Sequence, residues 1–280
     1  MITLEKVAKD FGKFKLHEIT TEIPEGYICG LAGRNGAGKT TLLNLMLGLL
    51  KPEDGELTID GMRYEEEEKA IRNLLGCVLV DELFLPAMSL KDNAEYFGQY
   101  YEAYDAGLYE KYLSEFHLVP GKKFKALSKG EKLKCQFAFA LAHHPKYLLL
   151  DEPTANFDPE FRKQFWEIVK TFIADGAHSV LLATHLTEDL DRMADYLLLL
   201  ENGELVVSGD IESFRDRYRI VSGEDYLIRN LPKDWLIGSE MGTYGTKALV
   251  KNKKGIPEEL VSVPSSIEEF MYYSSERRRA

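Results

Sequence analysis

Cysteine is scarce in this sequence: there are three among 280 residues, Cys29, Cys77 and Cys135. They stand far apart, with no CxxC and no Cys/His ligand spacing. That speaks against a disulfide framework or a zinc site and for free thiols in a reducing compartment. Cys29 falls within an apolar run and reads as a buried structural residue. Basic charge is also short, with 35 Lys and Arg against 46 Asp and Glu, a formal net charge of −11. Duplex affinity rests largely on neutralising phosphates with Lys and Arg, so nucleic acid is disfavoured as a partner. Long apolar runs are missing too. The most apolar early stretch, Leu42 to Leu50, is far shorter than the roughly 20 residues of a spanning helix. The start, Met1-Ile2-Thr3-Leu4-Glu5-Lys6, lacks the charged and apolar regions of a signal peptide. The expectation is a cytoplasmic protein that meets a membrane only through a partner. Repeats and low-complexity tracts are absent.

What is present suffices for a packed core. Composition is 45% hydrophobic, enough for one large α/β domain and a small appendage. Tyr27 to Ala32 is a short apolar strand, which runs through Gly33-Arg34-Asn35-Gly36-Ala37-Gly38-Lys39-Thr40-Thr41 into the helical run Leu42 to Leu50. Leu57 to Ile59 reads as a strand. The acidic run Glu65 to Glu68 reads as a solvated first helical turn, where negative charge suits the helix dipole. Leu90 to Phe116 has helical period and many aromatics, a stripe that packs a core. Tyr147 to Asp151 and Ser179 to Ala183 are buried strands, with a helical pattern over Glu160 to Ile173 between them. Tyr196 to Leu200 and Leu205 to Val207 form a hairpin about Asn202-Gly203. Strands alternating with helices predict a largely parallel sheet flanked by helices. After about Tyr218 the pattern weakens into short strands and a closing helix near Ile267 to Tyr273.

Three segments carry chemistry. Gly33 to Thr40 fits G-x-x-x-x-G-K-[ST] in the strand–loop–helix order that a phosphate-binding loop requires. Its glycines let backbone N–H groups surround phosphate oxygens at the positive end of the following helix. Lys39 supplies a cation for the β- and γ-phosphates, and the Thr40 hydroxyl is a candidate Mg²⁺ ligand. Leu148-Leu149-Leu150-Asp151-Glu152 is an apolar strand ending in two acids. Asp151 would stand beside the metal, and Glu152 could orient and deprotonate an attacking water; alone, the pattern equally describes a strand end with solvated acids. Leu127-Ser128-Lys129-Gly130-Glu131 opens a helix, and on its own is also an ordinary N-cap. Its position just upstream of Tyr147–Asp151, with Pro153-Thr154-Ala155-Asn156-Phe157-Asp158 following, favours a functional reading.

Taken together, these segments resemble the nucleotide-binding domain of an ATP-binding cassette (ABC) transporter. The resemblance covers about Met1 to Tyr218. Lys39 matches the Walker A motif, Asp151 and Glu152 the Walker B motif, and Leu127 to Glu131 the signature. Ala155-Asn156-Phe157-Asp158 matches the D-loop and His185 the switch histidine. The fold implied is a P-loop NTPase core over 1–217, with a helical subdomain at about 86–144 and a small α+β appendage over 218–280. The resemblance also implies an ATP hydrolase that needs Mg²⁺ at Thr40 and Asp151, with Glu152 as base and His185 at the γ-phosphate. Phe11 matches the aromatic that stacks on adenine. Gly33, Arg34, Asn35, Gly36, Ala37, Gly38, Lys39, Thr40 and Thr41 would hold one nucleotide. Ser128 and Gly130 would cover it from a second subunit, in a head-to-tail homodimer or a heterodimer with a related ATPase, and Asp158 of the D-loop is a further ATP-binding residue. Membrane-spanning permease subunits would dock on the helical insert. The pattern is most similar to bacterial exporter-type ATPases.

Two departures stand out. The signature reads Ser-Lys-Gly-Glu where many members have Ser-Gly-Gly-Gln, with Lys129 read as solvated. After Gly76, where members carry a glutamine that reaches Mg²⁺, this chain has Val80-Asp81-Glu82-Leu83; Asp81 is the nearest equivalent. His17, His117, His143, His144 and His178 have no catalytic context and read as structural. Arg277-Arg278-Arg279 reads as a solvated end. The competing functional reading is a soluble ABC-type ATPase with a non-transport partner. A module that binds ATP without turnover is disfavoured by the presence of both Glu152 and His185.

Overall fold

The computed structural model describes residues 1–80, 83–243 and 245–277. Asp81, Arg278 and Arg279, singled out above, lie outside them. The chain divides into two compact units, Met1–His185 with Leu199–Val206 and Leu186–Leu198 with Val207–Ala280. No helix among the described residues is long and apolar enough to cross a membrane.

Two sheets form the first part of the chain. Strands β1 (Ile2–Asp10), β2 (Lys15–Ile23) and β4 (Asp54–Ile59) pair antiparallel in the order β2-β1-β4. In β2 the buried residues are Leu16, Ile19, Thr21 and Ile23, so one face of this sheet is covered. The second sheet has the order β5-β6-β7-β3-β8-β9. Its strands are β3 (Ile28–Gly33), β5 (Leu75–Val78), β6 (Tyr147–Asp151), β7 (Ser179–Thr184), β8 (Tyr196–Glu201) and β9 (Glu204–Asp210). The pairs β5/β6, β6/β7 and β7/β3 are parallel. β3, β6 and β7 are buried at every residue, which is why they are unbroken apolar runs rather than alternating ones. Asn202 (φ 49°) and Gly203 (φ 81°) are both left-handed, the type I′ turn expected of the β8–β9 hairpin.

Helices α1 (Lys39–Met46), α2 (Tyr64–Leu74), α3 (Leu90–Gly98), α4 (Ala106–Glu115), α5 (Lys129–Ala142) and α6 (Pro159–Ile173) complete the first unit. Glu65, Glu66 and Glu67 occupy the first turn of α2, as the acidic run implied. The stretch 90–116, helical in period throughout, is two helices. Tyr104 packs on Gly98, where a Cβ would come within 2.5 Å of its ring, and Asp105 caps α4 by accepting from Leu108 N at 2.9 Å. Tyr109 and Phe116 are core residues; Tyr96 on α3 and Tyr100 just after it stay exposed. Phe116 stacks with Phe137 of α5 and meets Phe161 of α6 edge-on at 4.8 Å between centroids. That aromatic seam ties α4, α5 and α6 together.

The second unit has its own core. α7 (Thr187–Met193) and α8 (Ile211–Arg217) precede β10 (Tyr218–Gly223), α9 (Asp225–Arg229), β11 (Leu236–Gly242), β12 (Gly245–Lys251), β13 (Val261–Pro264) and α10 (Ile267–Arg277). The strands form an antiparallel sheet in the order β11-β12-β10-β13. Val221, Ile228, Leu231, Ala248, Val250 and Leu260 make one apolar cluster. Phe214, Tyr218 and Phe270 make a separate aromatic contact.

Candidate nucleotide site

Parallel β3, β6 and β7 end side by side, and each hands its chemistry to the segment that follows its carboxyl end. After β3 comes the glycine loop. Gly36 (φ 80°) and Gly38 (φ 111°) hold left-handed backbone that side-chain-bearing residues rarely adopt. At Gly38 a Cβ would also stand 2.9 Å from the Phe14 ring, so the loop needs glycine there for space as well. Ala37 anchors the loop, donating to Arg34 O at 3.0 Å and accepting from Gly203 N at 3.0 Å.

Lys39 is 6% exposed and folds back on its own loop, donating from Nζ to Gly33 O at 2.7 Å. Burial lowers its pKa, opposed by the nearby Glu152 and Asp151 carboxylates. Thr40 Oγ1 donates to Asp151 Oδ2 at 2.9 Å. The loop, Phe14, Asn44, Leu79, Val80, Asp151 and Glu152 line a common cleft of about 480 Å³. Leu79 N is held at 2.9 Å by the Oε1 of buried Gln136, so a glutamine from α5 fixes the backbone entering the 81–82 segment.

Glu152 has φ 48°, a left-handed conformation that costs a non-glycine residue on the order of 1–3 kcal/mol. The turn sends its side chain back across the end of β7. There Thr184 Oγ1 donates to Glu152 Oε2 at 2.9 Å, His185 N to Oε1 at 2.9 Å, and His185 Nδ1 stands 2.8 Å from Oε2. Lys39 Nζ lies 4.0 Å from Oε1. The geometry thus brings Lys39, Thr40, Asp151, Glu152 and His185 to one place.

Ser128, Gly130 and Asp158 do not line that cleft in the same chain. They form a second surface. Ser128 and Glu131 make a reciprocal capping box at the start of α5. The hydrogen bond from Ser128 N, helped by Lys122, lowers the Glu131 pKa. Gly130 abuts the 155–158 segment so closely that a Cβ would sit 2.5 Å from Asn156 O. Asp158 caps α6, accepting from Phe161 N at 2.8 Å, and receives Lys134 Nζ at 3.1 Å. Lys134 Nζ also lies 4.1 Å over the Phe161 ring. Phe11 stands at the turn after β1, 48% exposed, outside the cleft lining.

Sequence reasoning missed Phe14, Asn44 and Thr184. Phe14 had no motif to mark it. Asn44 follows Thr40 by one helical turn, a spacing that points into the cleft. Thr184 had a legible signal: a hydroxyl closing an apolar strand beside a strand that ends in acids.

The ABC transporter family profile matches residues 16–155. The chain belongs to the ABC transporter family. It is an ABC transporter ATP-binding subunit and an ABC-type ATPase. It is 28% identical over 268 residues to an uncharacterized ABC transporter ATP-binding protein, YdbJ, of Bacillus subtilis (strain 168), covering 92% of this chain and 85% of that one. It is 33% identical over 214 residues to the Nod factor export ATP-binding protein I of Burkholderia lata, covering 74% of this chain and 70% of that one. Among solved structures, an ATP-binding subunit of an ABC transporter matches with TM-score 0.71 at 24% identity, over 77% of this chain and 92% of that one. A dimeric ATP-binding cassette in a post-hydrolysis state with ADP and Pi matches with TM-score 0.67 at 24% identity, over 75% of this chain and 99% of that one. These two likenesses establish the fold.

Proposed function

We propose that this ABC ATPase drives export through separate membrane-spanning permease subunits at the cytoplasmic face of a membrane, by closing and reopening an ATP-dependent dimer. The observation that carries the reading is the meeting of Lys39, Thr40, Asp151 and Glu152 in one cleft, with His185 against the Glu152 carboxylate, while Ser128, Gly130 and Asp158 lie outside that cleft. One chain holds a nucleotide and presents the cover for a second chain's nucleotide. Head-to-tail pairing satisfies both, with two-fold closure.

ATP phosphates would enter the loop from Gly33 to Thr41, where backbone N–H groups and the positive end of α1 receive them. Lys39, resting on Gly33 O, has its donors ready to exchange a carbonyl for a phosphate. Phe11, half-exposed at the turn after β1, would stack on adenine. The convergent oxygens of Thr40 and Asp151 suit Mg²⁺, a hard cation that takes few protein ligands and completes its shell with phosphate and water. When bound there, Mg²⁺ neutralises phosphate charge. Glu152 holds the attacking water and takes its proton. His185 contacts the γ-phosphate. Contacts across the dimer depend on that phosphate, so hydrolysis removes them and the pair reopens.

An apolar groove of about 370 Å³, bounded by Leu49, Leu75, Phe84, Phe97, Tyr100 and Phe139, supports docking of permease segments beside the helical subdomain. Export is favoured because several relatives are named as Nod factor export ATP-binding proteins.

The test is Glu152→Gln. It keeps shape and removes the base, so turnover should fall by about 10²-fold or more while an ATP-bound dimer accumulates on size-exclusion chromatography. Parental phosphate release by this variant refutes the assignment.

A further inference from the structure

Glu152 is held by two donors of different character on the same oxygen, Oε2. Thr184 is 0% exposed at the last position of β7, and its β-branched side chain has little rotamer freedom. His185 is half-exposed one residue further on, and its ring reaches the same oxygen. The left-handed turn at Glu152 sends its side chain across the end of β7, and the Thr184 hydroxyl and His185 N–H hold the carboxylate there. The strand register explains the reach. β6 and β7 run parallel with Asp151 opposite Ala183, and Glu152 N donates to Ala183 O at 2.8 Å. One residue further, the carboxylate meets the Thr184 hydroxyl.

We propose that Thr184 is a positioning residue for hydrolysis: its buried hydroxyl is the fixed anchor of Glu152, and it lets the His185 ring leave the carboxylate without loss of the carboxylate's aim. The inference rests on the reading of Glu152 as base. A carboxylate that accepts from Thr184, from His185 N–H and from the His185 ring has little capacity left for a water proton. Departure of the exposed ring toward a phosphate frees one acceptor direction on Oε2. The Thr184 hydroxyl and the His185 N–H then still fix both oxygens, with Oε1 turned toward Lys39 and the phosphate loop. A base swung out of line by about an ångström loses up to about 10²-fold in rate, so the anchor matters at the moment the ring leaves. Burial decides the division of labour. The hydroxyl is locked and the imidazole can exchange partners.

The experiment is steady-state ATP hydrolysis by the full 280-residue chain, carrying Thr184→Val, Thr184→Ser or Thr184→Ala, alone and with Glu152→Gln. Thr184→Val, which keeps shape and loses the hydroxyl, should lower kcat about tenfold or more with KM for ATP unchanged. Thr184→Ser should restore kcat to within about twofold, because the donor returns. On the Glu152→Gln background, Thr184→Val should bring no further loss, since the group it aims is gone. Parental kcat in Thr184→Val, or failure of serine to rescue, overturns the anchor. A rise in KM that accounts for the whole loss also overturns it, because that marks a nucleotide contact. Should Thr184→Val not fold, Thr184→Ala against Thr184→Ser makes the same comparison. Parental turnover in Glu152→Gln sinks the base reading itself, whereas an inactive Glu152→Gln beside a fully active Thr184→Val sinks only the anchor.

Discussion

At the scale of single residues, the site depends on positions where backbone and space leave no alternative. Gly38 combines left-handed backbone with a ring 2.9 Å from where its Cβ would lie. Gly38→Ala should therefore displace either the loop or Phe14. Its signature is a KM for ATP raised by about tenfold or more, read in steady-state kinetics, because a distorted cradle loses several phosphate contacts together. Glu131 is a second such position. Its lowered pKa means that its contribution to stability is complete above the unfolded glutamate value, about 4.3. The contribution disappears as pH falls through the lower folded value. Glu131→Ala should then cost about 1 kcal/mol at neutral pH by loss of the capping box. Thermal unfolding of parent and variant should converge as the solution is made acidic. A gap independent of pH contradicts the charge-based account.

At the scale of elements, the important unit is the pair formed by α5 and the segment leading into α6. Gly130 lies against Asn156 O, and Lys134 is held between the Asp158 carboxylate and the Phe161 ring. Ser128, at the head of α5, and residues 155–158 are thereby linked in one chain, so both would approach a second subunit as one surface. Lys134→Met keeps the stem over the ring and removes the charge. It should leave nucleotide binding to the monomer unchanged, by equilibrium titration. It should also weaken ATP-driven dimerisation in the Glu152→Gln background by about threefold or more, the modest effect of an exposed ion pair. Weakened monomer binding would place Lys134 in the nucleotide cleft instead. The break between α3 and α4 belongs to the same scale. Helical periodicity runs straight through 90–116, and only the packing of Tyr104 on Gly98 and the cap at Asp105 divide it.

For the whole molecule, the arrangement expects assembly to follow the nucleotide. Glu152→Gln with ATP and Mg²⁺ should elute as a dimer and return to monomer on chelation of the metal, since two oxygens from Thr40 and Asp151 cannot replace the charge it supplies. A dimer indifferent to nucleotide and chelator argues for a different interface. The second unit has its own sheet and apolar cluster, which accords with the weakening of sequence pattern after Tyr218. Short, largely exposed strands such as β13 carry little periodic signal.

The sequence by itself determined the phosphate loop, the acids ending β6, the signature helix and the parallel sheet. Each of these is a local requirement: glycines for left-handed turns, unbroken apolar runs for strands buried on both faces, a Ser with an acid three residues on for a helix start. Tertiary structure alone decided which groups meet. The grip of Thr184 and His185 on Glu152, the support of Leu79 by Gln136, and the lock of Lys134 on Asp158 each join residues from 24 to 57 positions apart. No periodicity encodes such pairings. They arise because parallel strands end side by side and helices pack at fixed distances, so side chains remote in the chain compete for the same few ångströms.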